Sequence, residues 1–286
     1  MAYRIVTDSC CDLSEQMYEQ LGVSCVPLLV NFRGQNIKSC TEAQLKDIYD
    51  AFRAGEPATT AAANPQDWEE AIAPVLEQGD DALVMAFSSG LSTTYQSAVI
   101  AAGELMERYP GRTVKVVDTL SASMGQGLFL YYACKMRDAG MTLDQLADWC
   151  ESKKQNVCQW FTVDDLMYLK RGGRISAATA LAGTMLQIKP VLHVDKEGHL
   201  VSVSKARGRK ASIAALAKKM ADTMLPGEND IVFISHGDCL EEAELLAQML
   251  KEQCGVKEVV INYVGAVIGS HAGPGTIAMF FIGKER

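Results

Sequence analysis

The sequence has the length and composition of an ordinary globular protein. Its 286 residues are enough to bury one sizeable core or two, and we expect two lobes. Apolar residues make up 48% and charged residues 22%, which excludes a disordered or fibrous chain. Because 35 Asp and Glu residues outnumber 27 Lys and Arg residues, the formal net charge of -8 argues against nucleic acid or an anionic membrane surface as a partner.

The chain lacks the patterns of export and of membrane insertion. Its first ten positions are too polar for a secretory signal. The longest apolar run, at 259–268, is interrupted and far shorter than the ~20 residues that span a bilayer. The nine cysteines include no Cys-x-x-Cys pair, so neither a disulfide framework nor a zinc site is predicted. We expect a cytoplasmic protein with no metal and at most transient membrane contact.

Short β-branched runs alternate with longer amphipathic segments in the first half of the chain. Residues 3–7, 82–86 and 113–117 predict buried strands, each followed by a helical pattern. This alternation indicates a parallel sheet with crossover helices. The predicted helices lie at 65–76, 93–108, 123–139 and 143–154.

The second half of the chain predicts some antiparallel pairing. Residues 189–194 and 200–205 flank an Asp-Lys-Glu-Gly turn at 195–198, which is a hairpin signal. The other predicted elements are strands at 230–235 and 258–263 and a helix at 240–253. We therefore expect an α/β fold throughout, with one lobe over 1–155 and another over 156–286.

Small polar side chains follow two of the predicted strands. Asp8 and Ser9 come directly after the first, and a hydroxyl-rich segment at 88–94 follows the second. The carboxyl ends of parallel strands form the usual ligand crevice of open α/β folds, and a helix start suits an anion. Helix capping explains the same residues without a ligand, so both interpretations stay open. The segment lacks the spacing of a phosphate loop, which leaves ATP binding unsupported.

His271 lies in a glycine-rich stretch at 269–276, which we predict to be a loop at the end of a buried strand. Glycines let the backbone approach a ligand closely, and an imidazole donates well to a carboxylate, so a ligand role is favoured. Ser92, His271 and Asp8 also supply the residue types of a serine hydrolase. No Gly-x-Ser-x-Gly elbow surrounds any serine, which counts against that interpretation.

Two concentrated basic stretches lie on this acidic protein. One, at 170–174, contains Arg171 and Arg174, and the other, at 205–210, contains Arg207. Each suits an acidic partner or a phosphate group. Each is equally compatible with a solvated helix end, where cations complement the carbonyl terminus.

Five segments, taken in order, resemble motifs of the DegV family. They read TDS at 7–9, LSTTYQSA at 91–98, YLKRGGRI at 168–175, IKPVL at 188–192 and HAGPG at 271–275. Each motif alone is unspecific, but the five in this order cover nearly the whole chain. The resemblance implies a two-lobe α/β fold with a mostly parallel sheet in the N-terminal lobe. It implies a mixed sheet with helices in the C-terminal lobe, and a ligand cleft between the lobes.

The resemblance also implies a function. Family members of this type bind one long-chain fatty acid without a cofactor or catalytic residues of their own, and deliver it to a separate fatty-acid kinase. By position, Thr60, Ser92 and His271 look like the residues that hold the carboxylate. Further contacts in the cleft, or with the partner, are expected from Asp8, Ser9, Arg171, Arg174, Arg207 and Gly273.

The loop around Thr60 departs from the family pattern. It reads TTAAANP at 59–65, with alanines in place of a serine, a longer polar residue and a proline. We expect this change to affect head-group geometry and kinase recognition more than lipid binding. The alternative to a carrier is an enzyme, either a serine hydrolase or a small-molecule kinase, that uses Ser92 and His271. A DNA-binding regulator is disfavoured by the net charge and by the absence of a helix-turn-helix pattern.

Overall fold

The computed structural model describes residues 2–176, 188–284 and 286, over which strands and helices alternate. The strands are β1 (Tyr3–Asp8), β2 (Ser24–Val26), β3 (Leu29–Phe32), β4 (Gln35–Ile37), β5 (Thr59–Ala61), β6 (Asp81–Ala86), β7 (Val114–Asp118), β8 (Val157–Thr162), β9 (Ile188–Val194), β10 (Leu200–Arg207), β11 (Ile231–His236), β12 (Glu258–Tyr263) and β13 (Ile277–Ile282). The helices are α1 (Glu15–Leu21), α2 (Glu42–Arg53), α3 (Pro65–Glu77), α4 (Thr94–Arg108), α5 (Met124–Asp138), α6 (Leu143–Lys153), α7 (Leu166–Arg171), α8 (Arg209–Thr223), α9 (Leu240–Cys254) and α10 (Ala266–Ala272).

The first sheet is parallel and has the strand order β2-β1-β6-β7. Its central strand β6 is buried on both faces because helices cover each side, which explains the nearly continuous apolar sequence of that strand. α3 and α4 pack on the face that carries Val6 and Val84, while α5 and α6 pack on the face that carries Ile5 and Leu83. The predicted parallel sheet is therefore confirmed.

The second sheet is mixed and has the order β10-β9-β8-β13-β11-β12. β9 and β10 form the predicted antiparallel hairpin, whereas β11 and β12 run parallel. α8 and α9 cover one face, and α5 lies against β8, β11 and β13 on the other. Because α5 packs on both large sheets, its helix is buried along most of its length. The predicted α/β class is confirmed.

A small antiparallel sheet of order β4-β3-β5 was not predicted from the sequence. β3 and β4 form a hairpin with Arg33 and Gly34 in the turn, and both have positive φ, 50° and 75°, as a two-residue hairpin turn of this type requires. α2 packs beside this sheet with the buried rings of Tyr49 and Phe52. The sheet holds β5, and thus Thr60, in register with Val30.

The predicted boundaries of the first half agree with the structure to within one residue at each end. Capping residues explain the agreement at the starts of α3 and α6. Asn64 and Thr142 each begin their helix with a capping box, so that side-chain atoms bond the first free N–H groups. In the described ranges, no helix is both long and apolar enough to cross a bilayer.

Candidate ligand-binding site

A cavity of about 740 Å³ lies where the carboxyl edge of the first sheet faces the second sheet. Residues that follow β6 and β7 line one side, and alternate residues of β8 and β13 line the other. Most of the wall is apolar. Its larger contributors are Phe87, Phe161, Leu169, Leu200, Ile268 and Phe280.

Thr60 and His271 meet at this cavity although 211 residues separate them in sequence. The Thr60 hydroxyl and the His271 Nε2 are 2.8 Å apart, within hydrogen-bonding distance. His271 does not lie in a loop, as predicted, but in the last turn of α10. Tyr49 explains why glycine is used inside that helix, because a Cβ at Gly269 would come within 2.5 Å of the Tyr49 hydroxyl.

Burial keeps His271 neutral. Removal from water lowers the pKa of its imidazole to about 4, and the nearby Arg174 guanidinium adds to this effect. Its Nδ1 is buried and has no hydrogen-bond partner among the described residues. The Gly172 backbone packs directly against Nδ1, since a Cβ at position 172 would collide with that atom. The ring is thus fixed from both sides, with Nε2 directed at Thr60.

Ser92 lines the same cavity from the loop that precedes α4. Its Oγ accepts a hydrogen bond from the Thr94 N–H at 3.2 Å and lies 2.8 Å from the Thr94 Oγ1. This local turn holds the hydroxyl near the start of a fifteen-residue helix, where the free N–H groups favour negative charge. All three residues for which the sequence predicts contact with a head group, Thr60, Ser92 and His271, line this cavity, and we call this part of the wall the head-group end.

The predicted basic residues lie in different places. Arg174 lines the cavity and donates to the carbonyls of Leu91 and Gly172. Arg171 lies over the ring of Tyr168, 4.5 Å from its centroid, and is exposed. Arg207 is exposed at the end of the edge strand β10. Only Arg174 of these three lines the cavity.

Gly273 caps the C-terminal end of α10 with a φ of 80°, a conformation that favours glycine. A Cβ at this position would press into the Tyr168 ring at 2.6 Å. Gly273 therefore allows α10 and α7 to pack closely. Gly273 itself does not line the cavity.

Asp8 and Ser9 also lie outside the cavity wall. The fully buried Asp8 carboxylate accepts from the Phe87 N–H at 2.7 Å, and the Ser9 Oγ accepts from the Leu28 N–H at 2.9 Å. Burial raises the pKa of Asp8 to about 6. Phe87 and Leu28 do line the cavity, so both polar residues support its wall from behind.

The alanines beside Thr60 contribute only methyl groups. Ala61 and Ala62 line the cavity, whereas Ala63 is buried behind it. Asn64 uses its side chain to begin α3 by accepting from the Asp67 N–H. The departure from the family loop thus places apolar surface next to the Thr60 hydroxyl.

Sequence reasoning missed a second polar group in the wall, formed by Ser123 and Ser235, which we call the inner hydroxyl pair. Their Oγ atoms are 2.9 Å apart, and Ser123 also donates to the buried Asp12 carboxylate at 2.5 Å. Ser123 follows β7 at the same sheet edge as the predicted polar residues, a signal that was available in the sequence. Ser235, inside an apolar strand, gave no such signal.

The described residues contain no group of three or more acidic, histidine or cysteine side chains arranged to hold a metal ion. The cavity instead offers neutral hydroxyl and imidazole groups, one guanidinium and a long apolar surface. An amphiphilic ligand with an anionic head matches this distribution of groups.

A family model, described as the uncharacterised protein family DegV, matches residues 2–284 of the chain. A DegV domain-containing protein of Clostridium perfringens is 41% identical over 284 residues, covering 99% of this chain and 98% of that protein. A DegV domain-containing protein of Lactococcus lactis is 34% identical over 287 residues, covering 100% of this chain and 99% of that one.

Solved structures show the same fold. A DegV family protein of Thermus thermophilus, described for its fatty acid binding, is 34% identical with a TM-score of 0.86, covering 99% of this chain and 100% of that one. DegV of Bacillus subtilis, described as a fatty acid binding protein, is 28% identical with a TM-score of 0.82 over 99% and 100% of the two chains. Since the family model and the Clostridium relative both span almost the full length, this chain belongs to the DegV family.

Proposed function

We propose that this protein binds a single long-chain fatty acid in the cavity and presents it to a separate fatty-acid kinase. The observation that carries the proposal is a mostly apolar cavity of about 740 Å³ whose wall includes Thr60, Ser92 and His271. Ligand cavities of roughly 300–1,000 Å³ are typical of small-molecule sites. The related Thermus and Bacillus proteins, described as fatty acid binding, support the same ligand class.

The apolar wall supplies most of the binding free energy. Each buried methylene contributes about 0.8 kcal/mol, so a chain of about sixteen carbons gains on the order of 10 kcal/mol before ordering costs. No catalytic group is needed for such binding. The protein therefore acts as a carrier that keeps an insoluble chain out of water.

The head-group end fits a carboxylate that must later react. Thr60 and Ser92 donate through hydroxyls, and neutral His271 donates through one ring N–H, so no cation clamps both carboxylate oxygens. Arg174 is near enough to offset the negative charge. The carboxylate oxygens remain open to attack on the γ-phosphate of ATP, which forms an acyl phosphate and releases ADP.

Exposed cations outside the cavity suit a partner that handles phosphate. Arg171 and Arg207 are exposed, and neither lines the cavity. We place the lobe division near residue 155, just before β8, so that the cleft opens between 1–155 and 156–286. The kinase would approach this opening.

The geometry does not favour the hydrolase alternative. The His271 Nε2 is paired with Thr60, and the Ser92 hydroxyl is paired with Thr94. A serine hydrolase needs a serine–histidine hydrogen bond and a carboxylate on the other ring nitrogen, but the His271 Nδ1 has no partner in the described residues.

Mass spectrometry of the denatured protein tests the carrier proposal. One long-chain acid per chain is expected after purification, or after incubation with oleate or palmitate. Neither copurified acid nor uptake of added acid would refute it. The kinase step is tested by adding ATP and a purified fatty-acid kinase, then trapping acyl phosphate with hydroxylamine. Turnover of a chromogenic ester that Ser92→Ala abolishes would instead establish a hydrolase.

A further inference from the structure

The inner hydroxyl pair is a deeply buried polar feature of a mostly apolar wall. Ser123 and Ser235 are 4% and 0% exposed, yet both border the cavity. Their hydroxyls form a chain that ends on the Asp12 carboxylate, with distances of 2.9 Å and 2.5 Å. Saturated hydrocarbon forms no hydrogen bond with such groups.

Local backbone strain supports this arrangement. Ser123 lies at the turn between β7 and α5 with φ 52° and ψ -148°, a conformation that only glycine adopts easily. Gly265 makes room on the other side, because a Cβ there would lie 2.5 Å from the Asp12 Oδ1. Strain of this kind persists where the surroundings enforce it, and it concentrates at functional sites.

We locate the hydroxyl pair relative to His271 from the pairing of β11 with β13. Thr276, the residue before β13, and Ala278 and Phe280, within β13, alternate in sequence, and all three line the cavity. Thr276 bonds to the carbonyl of Ala272, next to His271, while Ser235 pairs with Ala278. At roughly 3.3 Å per residue, Ser235 lies about 7 Å farther along the strand than Thr276.

We infer that Ser123 and Ser235 form a second polar subsite, which binds a hydroxyl group on the middle of a long acyl chain. This inference rests on the proposed function and names its substrate class more narrowly. The preferred ligand is then a mid-chain hydroxy fatty acid, with its carboxylate at the head-group end.

The hydrogen-bonding capacity of Ser235 favours such a ligand. A serine hydroxyl has one donor and two acceptor sites. Among the described residues, the Ser235 Oγ has only the Ser123 hydroxyl as a side-chain partner, so part of its hydrogen-bonding capacity is unused beside the cavity. A ligand hydroxyl can both donate and accept a hydrogen bond. It can therefore pair with Ser235 whether Ser235 acts as the donor or as the acceptor.

The protonation state of the Asp12 carboxyl decides the donor and acceptor order of the hydrogen bonds from Asp12 through Ser123 to Ser235. Burial raises its pKa to about 7, although the hydrogen bond from Ser123 opposes this effect. When Asp12 is ionised, Ser123 donates to it and Ser235 donates to Ser123, which leaves acceptor sites toward the cavity. When Asp12 is protonated, it can donate to Ser123 and the order reverses, so Ser235 donates toward the cavity.

A competition experiment on the full chain tests the inference. The protein is mixed with equal amounts of stearate and a hydroxystearate, with the hydroxyl near the carboxyl end, the middle or the methyl end of the chain. Native mass spectrometry then reports the ratio of the two complexes. We expect about a fivefold preference for the mid-chain hydroxy acid, the ratio set by one net buried hydrogen bond. The other two hydroxy acids should show no preference over stearate.

Ser235→Ala should abolish this preference while stearate still binds. Ser212→Ala is the matched control, because Ser212 is also fully buried but bonds to Arg209 in α8, outside the cavity wall. Ser235→Cys keeps the side-chain volume and bonds only weakly, so it provides the same test if the alanine variant fails to fold. A purely structural role for Ser235 would lower the melting temperature and leave the ratio unchanged.

The outcomes separate this inference from the proposed function. Binding of stearate without preference for the mid-chain hydroxy acid overturns the inference alone. A wild-type ratio in folded Ser235→Ala protein also overturns only the inference. Binding of no acid at all overturns the carrier proposal together with the inference.

Discussion

The two polar regions of the cavity respond to burial in opposite ways. At the head-group end, loss of water lowers the pKa of the His271 imidazole to about 4. Behind the inner hydroxyl pair, the same loss raises the pKa of the Asp12 carboxyl to about 7. Burial disfavours the charged form of each group, and this form is the protonated base but the deprotonated acid. The comparison shows how burial beside one cavity disfavours the charged form of both groups.

The largest expected effect comes from removing two donors at the head-group end. Thr60→Val with Ser92→Ala should weaken fatty-acid binding about a hundredfold or more, because each hydrogen bond to a charged group contributes roughly 1.5–3 kcal/mol. A fluorescent fatty-acid displacement assay measures the dissociation constant. Thr113→Val with Ser97→Ala is the matched control outside the cavity wall. Equal losses in both double variants would contradict a role in holding the carboxylate.

Displacing the imidazole should have the next largest effect. Gly172→Ala places a methyl group against the His271 Nδ1, although the backbone at 172, with φ -71°, accepts alanine without strain. We expect roughly tenfold weaker binding, corresponding to ~1.4 kcal/mol, in the same displacement assay. Gly103→Ala, at a helical position with nothing within 4 Å of the new Cβ, should have no effect. Unchanged affinity of Gly172→Ala would show that His271 need not be fixed.

The opposite pKa shifts predict opposite pH dependences of stability in the ligand-free protein. His271 binds a proton more readily when unfolded, so its contribution to the free energy of unfolding is lost as the pH falls from about 6.5 to about 4. Asp12 binds a proton more readily when folded, so its contribution decreases as the pH rises from 3.8 to about 7. Urea unfolding across this range measures both.

Single variants separate the two contributions. His271→Asn should remove a positive slope of the free energy of unfolding against pH, and Asp12→Asn should remove a negative slope. Each slope corresponds to a difference of at most one bound proton between the folded and unfolded states. If both variants changed the slope in the same direction, the contrast between the two regions would be wrong.

The smallest effect is expected outside the cavity. Arg207→Gln removes an exposed cation that does not line the wall, so fatty-acid affinity should not change and stability should change by less than about 0.5 kcal/mol. Transfer of phosphate from ATP by a fatty-acid kinase should slow if Arg207 contacts the partner. An unchanged transfer rate, measured by hydroxamate formation, would exclude this role.

Local signals in the sequence were sufficient for most of the framework. Apolar runs such as 82–86 predict buried strands, and capping residues such as Asn64 and Thr142 mark helix starts, because both effects depend on neighbours within a few positions. The small sheet β4-β3-β5 was not predicted, and neither were β8 and β13 in the middle of the second sheet. The strands of the small sheet have only three or four residues, too few for a clear alternating pattern.

For the candidate site residues, sequence motifs gave their identity, whereas only the tertiary structure gave their position. Thr60, Ser92 and His271 were identified from a resemblance of motifs, and whether they bind a carboxylate remains a proposal. Their shared cavity could not be deduced from local pattern, since Thr60 reaches His271 through pairing of β5 with β3 and through the placement of α10. The same limit explains why His271 was expected in a loop.

The sequence by itself determined the α/β class, the strands β1, β6 and β7 with their crossover helices, the β9–β10 hairpin and the family resemblance, because these depend on short-range periodicity and on motifs in order. Tertiary structure alone decided which polar residues reach the cavity. It placed Asp8 and Ser9 behind the wall, and brought Ser123 and Ser235 together across 112 positions of sequence. Burial, and therefore every pKa shift at the site, results from contacts between distant segments.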